Sequence, residues 1–240
     1  MSRFLAVLAE RGVDLREVSF PDLVIAREAA SKRGASALIP MFTPHRGAVG
    51  AAFVAGELSS PSLIGAVVLR NCPAGLRCAI HDLTLFGDTR IEGMRAGITG
   101  DTSLIDGVSG LVAVIGAIWR DPDAPKGMLR PLWPVLVEAA LQDERVGWIV
   151  GLIRRDNHPW IGFTIEGFRH SWEYLSYSDP EWNAGKLADD LVICAMSRME
   201  AEQRVLRSAD ATTRHISAPT PVAAPEAHAG ASLSTAPLTG

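Results

Sequence analysis

Two places in the chain carry residue types that could do chemistry. In AIHDLTLFGD, His81 stands beside Asp82. A carboxylate next to an imidazole can fix its tautomer and raise its basicity, which makes His81 a candidate general base. The alternating Ile80, Leu83 and Leu85 predict a strand over residues 76–86, on which neighbouring side chains point to opposite faces. On such a strand Asp82 could not orient His81, so another partner for the ring would be needed. The second place is the apolar run 111–119, LVAVIGAIW, which leads through the polar stretch RDPDAPKG into an amphipathic helix. Strand, Gly-containing loop and helix start together make an anion site. The first amides of a helix lack internal partners, and its macrodipole is positive there. Lys126, Gly127, Met128, Leu129 and Arg130 form that junction, with side-chain charge from Lys126 and Arg130, and a pyrophosphate would fit it. Metal chemistry finds no support, because no HxxxH or HxH pair and no compact Asp/Glu/His set is present.

The elements around these places follow from periodicity and punctuation. Residues 16–20 read as a short first strand, and Pro21 opens a helix to Lys32 that Gly34 ends. Residues 48–55 and 63–69 read as two strands of a hairpin with a long turn over 56–62. The helix after Gly127 shows Leu132, Val135, Leu136, Ala139 and Ala140 at helical spacing, with Glu138, Gln142, Asp143 and Glu144 facing water. Residues 148–153 form a β-branched apolar run that ends in Arg154-Arg155-Asp156-Asn157. Pro159 and Gly167 then bracket a short helix. A last apolar strand follows Asp190. The Gly-rich segment 87–107 is longer than an ordinary connection and reads as a lid, a specificity loop or a plain surface insertion. Trp160, Phe163, Phe168, Trp172 and Tyr174 form an aromatic set suited to a pocket wall or to the core.

Composition bounds the rest. A chain of 240 residues with 48% hydrophobic content suffices for one α/β domain with a sizeable core. A net charge of −4 argues against a general nucleic-acid binder. Cys72, Cys78 and Cys194 contain no CxxC pair and leave one thiol unpaired, as expected of small residues in a reducing cytoplasm. The N-terminal apolar run is broken by Glu10 and Arg11, too short for a membrane span and without a small-residue cleavage site. From Ser208 to Gly240 the chain turns to Ala, Pro, Thr and Ser, so residues 1–207 are expected to form the domain and 208–240 a disordered tail.

The stretch IVGLIRRDNHPWIGFTIEGF, followed by Asp190 and the run LVICAM, resembles the last third of the GCN5-related N-acetyltransferase (GNAT) family: an apolar strand, an Asn, a short helix closed by Gly-Phe, and a final strand. The family's pyrophosphate loop, Gln/Arg-x-x-Gly-x-Gly/Ala, falls on Ala124, Gly127 and Leu129, of which the central glycine matches. The resemblance covers about residues 16–198 and is fuller from Leu111 onward. It implies a mixed, mostly antiparallel sheet flanked by helices, with a V-shaped splay between the strand ending at Trp119 and that ending near Ile153. It also implies that the backbone of Ile118, Trp119 and Arg120 lines a pantetheine arm, with Asn157 on the far wall. The activity implied is transfer of an acyl group, acetyl by default, from acetyl-CoA or another acyl-CoA to a small-molecule or peptide amine. Phe163 stands where many members carry an acid Tyr, so His158, Tyr174 or Tyr177 would protonate the thiolate, and His81 or a water chain would take the amine proton. Relatives of this fold also use carrier-protein donors. Neither nucleic acid nor membrane is expected as a partner, and a homodimer is allowed. A catalytically silent relative that binds a ligand or protein partner is the alternative.

Overall fold

The computed structural model describes residues 3–10, 12–33, 49–82, 84–85, 96–98, 105–125, 127–154, 170–173, 175–177 and 191–217. Among the described residues seven strands form the main sheet: β1 (Leu15–Val18), β2 (Gly50–Glu57), β3 (Ser60–Cys72), β5 (Gly110–Arg120), β6 (Val146–Arg154), β7 (His170–Glu173) and β9 (Leu191–Ser197), in the order β1-β2-β3-β5-β6-β9-β7. Every neighbouring pair is antiparallel except β5 and β6. A parallel pair needs a crossover, and the helix α4 (Leu129–Leu141) supplies it. The fold class is therefore the expected one. A separate two-stranded sheet pairs β4 (Ala96–Ile98) with β8 (Leu175–Tyr177). It ties part of the Gly-rich segment to the later chain, a long-range contact that local pattern does not encode.

The sheet is buried on both faces. One layer holds Leu23, Ala26 and Ala30 of α2 (Phe20–Lys32) against Ala52, Val54, Ile64, Ala66, Val68, Val112 and Val114. The other holds Phe4 and Leu8 of α1 (Arg3–Glu10) and Leu132, Val135, Leu136 and Ala140 of α4 against Phe53, Leu63, Val67, Ala113 and Ile115. Period-two alternation along β5, with Val112 and Val114 on one side and Ala113 and Ile115 on the other, is what divides the two layers.

Helix starts follow from capping. Ser19 Oγ accepts the amide of Asp22 at 3.2 Å, so α2 begins at Phe20, the last residue of the expected first strand. Ser197 and Glu200 form a reciprocal box: Ser197 N donates to Glu200 Oε2 at 2.8 Å, and Glu200 N donates to Ser197 Oγ at 3.3 Å. This box starts α5 (Arg198–Ser217), which packs Ala201 and Val205 on the second layer. The helix runs past residue 207, so the expected domain boundary does not coincide with its end; residues 218–240 lie outside the described residues.

Two expectations are corrected. The strand expected over 76–86 is replaced over its described first part by a helix: Leu76–His81 is α3, with Leu76, Ala79 and Ile80 buried at i, i+3 and i+4, while residues 83 and 86 lie outside the described residues. The apolar residues fit both periods; Gly75, with φ +92°, turns the chain into the helix, and Leu76, Ala79 and Ile80 pack into the layer that holds α2. The hairpin turn is also short. Glu57 pairs with Ser60 across Leu58-Ser59, so the rest of the expected turn is strand, with one extra residue taken up by the register shift between Ala55 and Gly56. The short helix expected after Pro159 lies outside the described residues.

Candidate functional site

β5 changes character along its length. From Leu111 to Ile115 it pairs with β6, ending at Ile115 opposite Gly151. Beyond that point β5 continues to Arg120 and β6 to Arg154 without further pairing between them, while β6 stays paired with β9 to its end. The two strands therefore diverge, as the family resemblance implied. Residues 116–120 thus have no ladder partner on the β6 side among the described residues.

The cause is visible on the other edge of β5. Ile64 faces Trp119 while Ala66 faces Gly116, so three steps of β5 oppose two of β3. The extra residue makes a β-bulge, and Ala117 adopts φ +52° within it. A non-glycine residue in this left-handed region costs about 1 kcal/mol or more. Bulges re-aim strands and side chains, and this one leaves Ile118 36% exposed between the buried Ala117 and the half-buried Trp119.

β5 leads directly into the loop and helix start read as an anion site. The Asp121 amide donates to Ser62 O at 2.9 Å, which carries the β3 ladder one residue past the strand. Arg120 Nη1 donates to the carbonyls of Asp121 at 2.9 Å and Pro122 at 3.3 Å, and also to that of Ala124. Its side chain thus serves the loop that follows, gathering carbonyls inward. Gly127 has φ +87°, and a Cβ built on it would meet nothing within 4 Å. The backbone there borders open space. α4 then starts with no side-chain cap: Met128 makes no capping hydrogen bond, and Leu129 is 42% exposed. Pro131 and Pro134 lack amide hydrogens, so fewer donors remain in the first turns.

Ile118, Trp119, Arg120, Gly127, Met128 and Leu129 are thus brought together at the β5–α4 junction. The backbone of Arg130 lies in the first turn of α4; its side chain, Lys126, Asn157, His158 and Tyr174 lie outside the described residues. His81 is not part of this group. It ends α3, whose first amide, at Leu76, donates to Val108 O at 2.8 Å, beside the Gly110 end of β5. The bulge lies at the Arg120 end. Because α3 is a helix, Asp82 does approach the ring: His81 Nδ1 and Asp82 Oδ1 are 3.4 Å apart, and both side chains are about half exposed, at 54% and 49%. No His or carboxylate lies on residues 116–120 or 152–154, the diverging ends themselves.

Asp121 and Arg33 meet at this junction without any pattern in the sequence that links them. Asp121 is a buried charged residue, 3% exposed, and its carboxylate pairs with Arg33, the residue that caps the C-terminus of α2. The only sequence signal was the Asp-Pro-Asp turn. Burial pushes the thiols of Cys72 and Cys194 up to about 11 and about 12, so both stay protonated at neutral pH and are unsuited to nucleophilic work. Among the described residues no group of His, Cys, Asp and Glu could hold a metal ion, and no helix is long and apolar enough to cross a membrane.

Strand order, bulge, divergent β5 and β6, and the loop into α4 together give the arrangement that the GNAT resemblance implies. No family model and no curated protein matches the sequence. Similar solved structures include FeeM, an N-acyl amino acid synthase from uncultured soil microbes (12% identity, 82% of this chain and 96% of that chain, TM-score 0.49). An uncharacterized protein from Bacillus halodurans is similar at 11% identity over 80% of this chain and 88% of that one, TM-score 0.45. The loading GNATL domain of CurA from Lyngbya majuscula is similar at 10% identity over 78% and 98%, TM-score 0.41.

Proposed function

We propose that this chain is an acyl-CoA-dependent N-acyltransferase that transfers an acyl group, acetyl by default, to an amine by direct attack in a ternary complex. The observation that carries the reading is the bulged end of β5, paired with β3 but no longer with β6, running into an uncapped helix start. An acyl-CoA molecule presents the matching chemistry: an amide-bearing arm that hydrogen-bonds like a strand, and a pyrophosphate that suits helix amides. The residues fit it. The backbone of Ile118, Trp119 and Arg120 would hold the arm, and Gly127, Met128 and Leu129 would meet the pyrophosphate, aided by the charges of Lys126 and Arg130. Asn157 would sit on the opposite wall.

The reaction needs a neutral amine, a polarised thioester carbonyl and a proton for the departing thiolate. A backbone amide freed by the bulge can polarise the carbonyl. The carbonyl oxygen gains negative charge as the amine nitrogen bonds to carbon, and a donor already in place stabilises it without reorganisation. The C–S bond then breaks, and His158, Tyr174 or Tyr177 supplies the proton that Phe163 cannot. The helix that carries His81 is anchored through its first amide, at Leu76, to the other end of β5, which favours water as the group that takes the amine proton.

A silent, ligand-binding relative is the second reading. Leu129, large and exposed where backbone would approach a phosphate, favours it. Calorimetry and thermal melts with CoA, acetyl-CoA and 3′-dephospho-CoA test donor binding. A ligand at a hundred times its Kd should stabilise the protein by about 2.7 kcal/mol. Thiol release across a panel of amines then separates enzyme from silent binder. No binding at millimolar concentration would remove the acyl-CoA reading and turn attention to a carrier-protein donor.

A further inference from the structure

The loop between β5 and α4 is held by one buried carboxylate. Asp121 Oδ1 accepts the amide of Asp123 at 2.9 Å, an Asx-type turn, and Ala124 N donates to Asp121 O at 3.0 Å. The other oxygen, Oδ2, pairs with Arg33, whose second terminal nitrogen reaches Asp123 Oδ2 at 3.4 Å. A carboxylate with 4% side-chain exposure needs such compensation, since removing either partner would leave a charge uncompensated. Arg33 ends α2, which packs on one face of the sheet, while the loop leads into α4 on the other. The pair therefore crosses the end of the sheet between its two helical layers.

We propose that Asp121 is a positioning residue for the donor loop, held in place from the opposite layer by Arg33. Its turn consumes the amides of Asp123 and Ala124, and Arg120 consumes the carbonyls of Asp121, Pro122 and Ala124. The carbonyl oxygens of Asp121, Pro122 and Ala124 are thus turned to Arg120 and away from a phosphate. Gly127 and the first amides of α4 are thereby fixed relative to the end of β5. The proposal rests on the acyl-CoA reading above.

The test uses the full chain and acetyl-CoA. Asp121→Ala loses turn and ion pair, and should raise the apparent KM for acetyl-CoA at least tenfold while kcat stays within about twofold. Asp121→Asn keeps an acceptor for the Asp123 amide and lacks the charge, and should raise KM about threefold. Arg33→Gln should resemble Asp121→Asn. Amide exchange without donor gives a second reading of the loop. The Asp123 amide should exchange at least tenfold faster in Asp121→Ala than in the wild type, with Asp121→Asn near the wild type. A purely structural role would lower melting temperatures without this split of KM from kcat. Unchanged KM in all three variants, with the wild type binding acetyl-CoA, would overturn this inference alone. A wild type that binds no acetyl-CoA would overturn the acyl-CoA reading and this inference with it.

Discussion

Gly65 of β3 passes directly beneath Leu132 of α4: a Cβ built on the glycine would come within 3.1 Å of the Leu132 Cδ2 methyl, and equally close to Leu136 Cδ1. The crossover helix lies on the sheet at that point, and its height there is set by a missing side chain. Since α4 carries the start of the candidate donor site, its seat on β3 bears on function as well as on stability.

Gly65→Val should therefore push α4 away from the sheet. Overpacking of this kind costs about 1–3 kcal/mol, and denaturant unfolding should show a lower midpoint with an unchanged slope. A midpoint equal to the wild type would mean that Leu132 and Leu136 have room to yield.

Gly127→Val meets no steric obstacle from the protein, because the space above the glycine is open; the substitution pays for its φ of +87° instead. A cost on the order of 1–3 kcal/mol in stability is expected from the strained backbone. CoA affinity, measured by calorimetry well below the melting temperature, should fall at least tenfold, because the branched side chain occupies the approach to the backbone. Undiminished affinity would place the pyrophosphate elsewhere.

The thiols predict both reactivity and pH dependence. Cys78 is exposed, whereas Cys72 and Cys194 are buried, so iodoacetamide should label one thiol in the native protein and three after denaturation. Burial raises the two buried thiols from the ordinary 9.0 to about 11 and about 12. A raised folded value for an acid means the neutral thiol is favoured in the native state. That stability is fully present below the unfolded value near 9 and is lost as pH rises through 9 toward 12. Melting temperatures should accordingly fall above pH 9, and Cys194→Ala should flatten part of the fall.

The acid in the proposed reaction can be found by comparing binding with turnover. If His158 protonates the leaving thiolate, His158→Ala should lower turnover by roughly 10²-fold and leave CoA affinity intact. If the chain is silent, Phe163→Tyr should confer weak thioester turnover where the wild type has none. An active wild type indifferent to His158→Ala would leave Tyr174, Tyr177 or solvent as the proton source.

Local pattern alone determined much of this protein. The continuous apolar runs at 111–119 and 148–153, the amphipathic period after Gly127 and the Pro21 start of the helix to Lys32 are all local signals, so the strand–loop–helix junction with its glycine was legible before any fold was known. Capping boxes are equally local, and Ser197-Arg198-Met199-Glu200 carried the start of α5 in plain sight. Tertiary structure decided what depends on partners distant in sequence. Residues 76–81 fit two periods, and packing against the layer that holds α2 selected the helix. The bulge at Ala117 exists because three residue steps of β5 must span two of β3, a mismatch that belongs to neither strand by itself. Arg33 and Asp121 stand far apart in the sequence and look like ordinary surface charges; only the meeting of a helix end with a strand end buries one and pairs it with the other. Periodicity records which face of an element is buried, but carries no information about which distant element covers it.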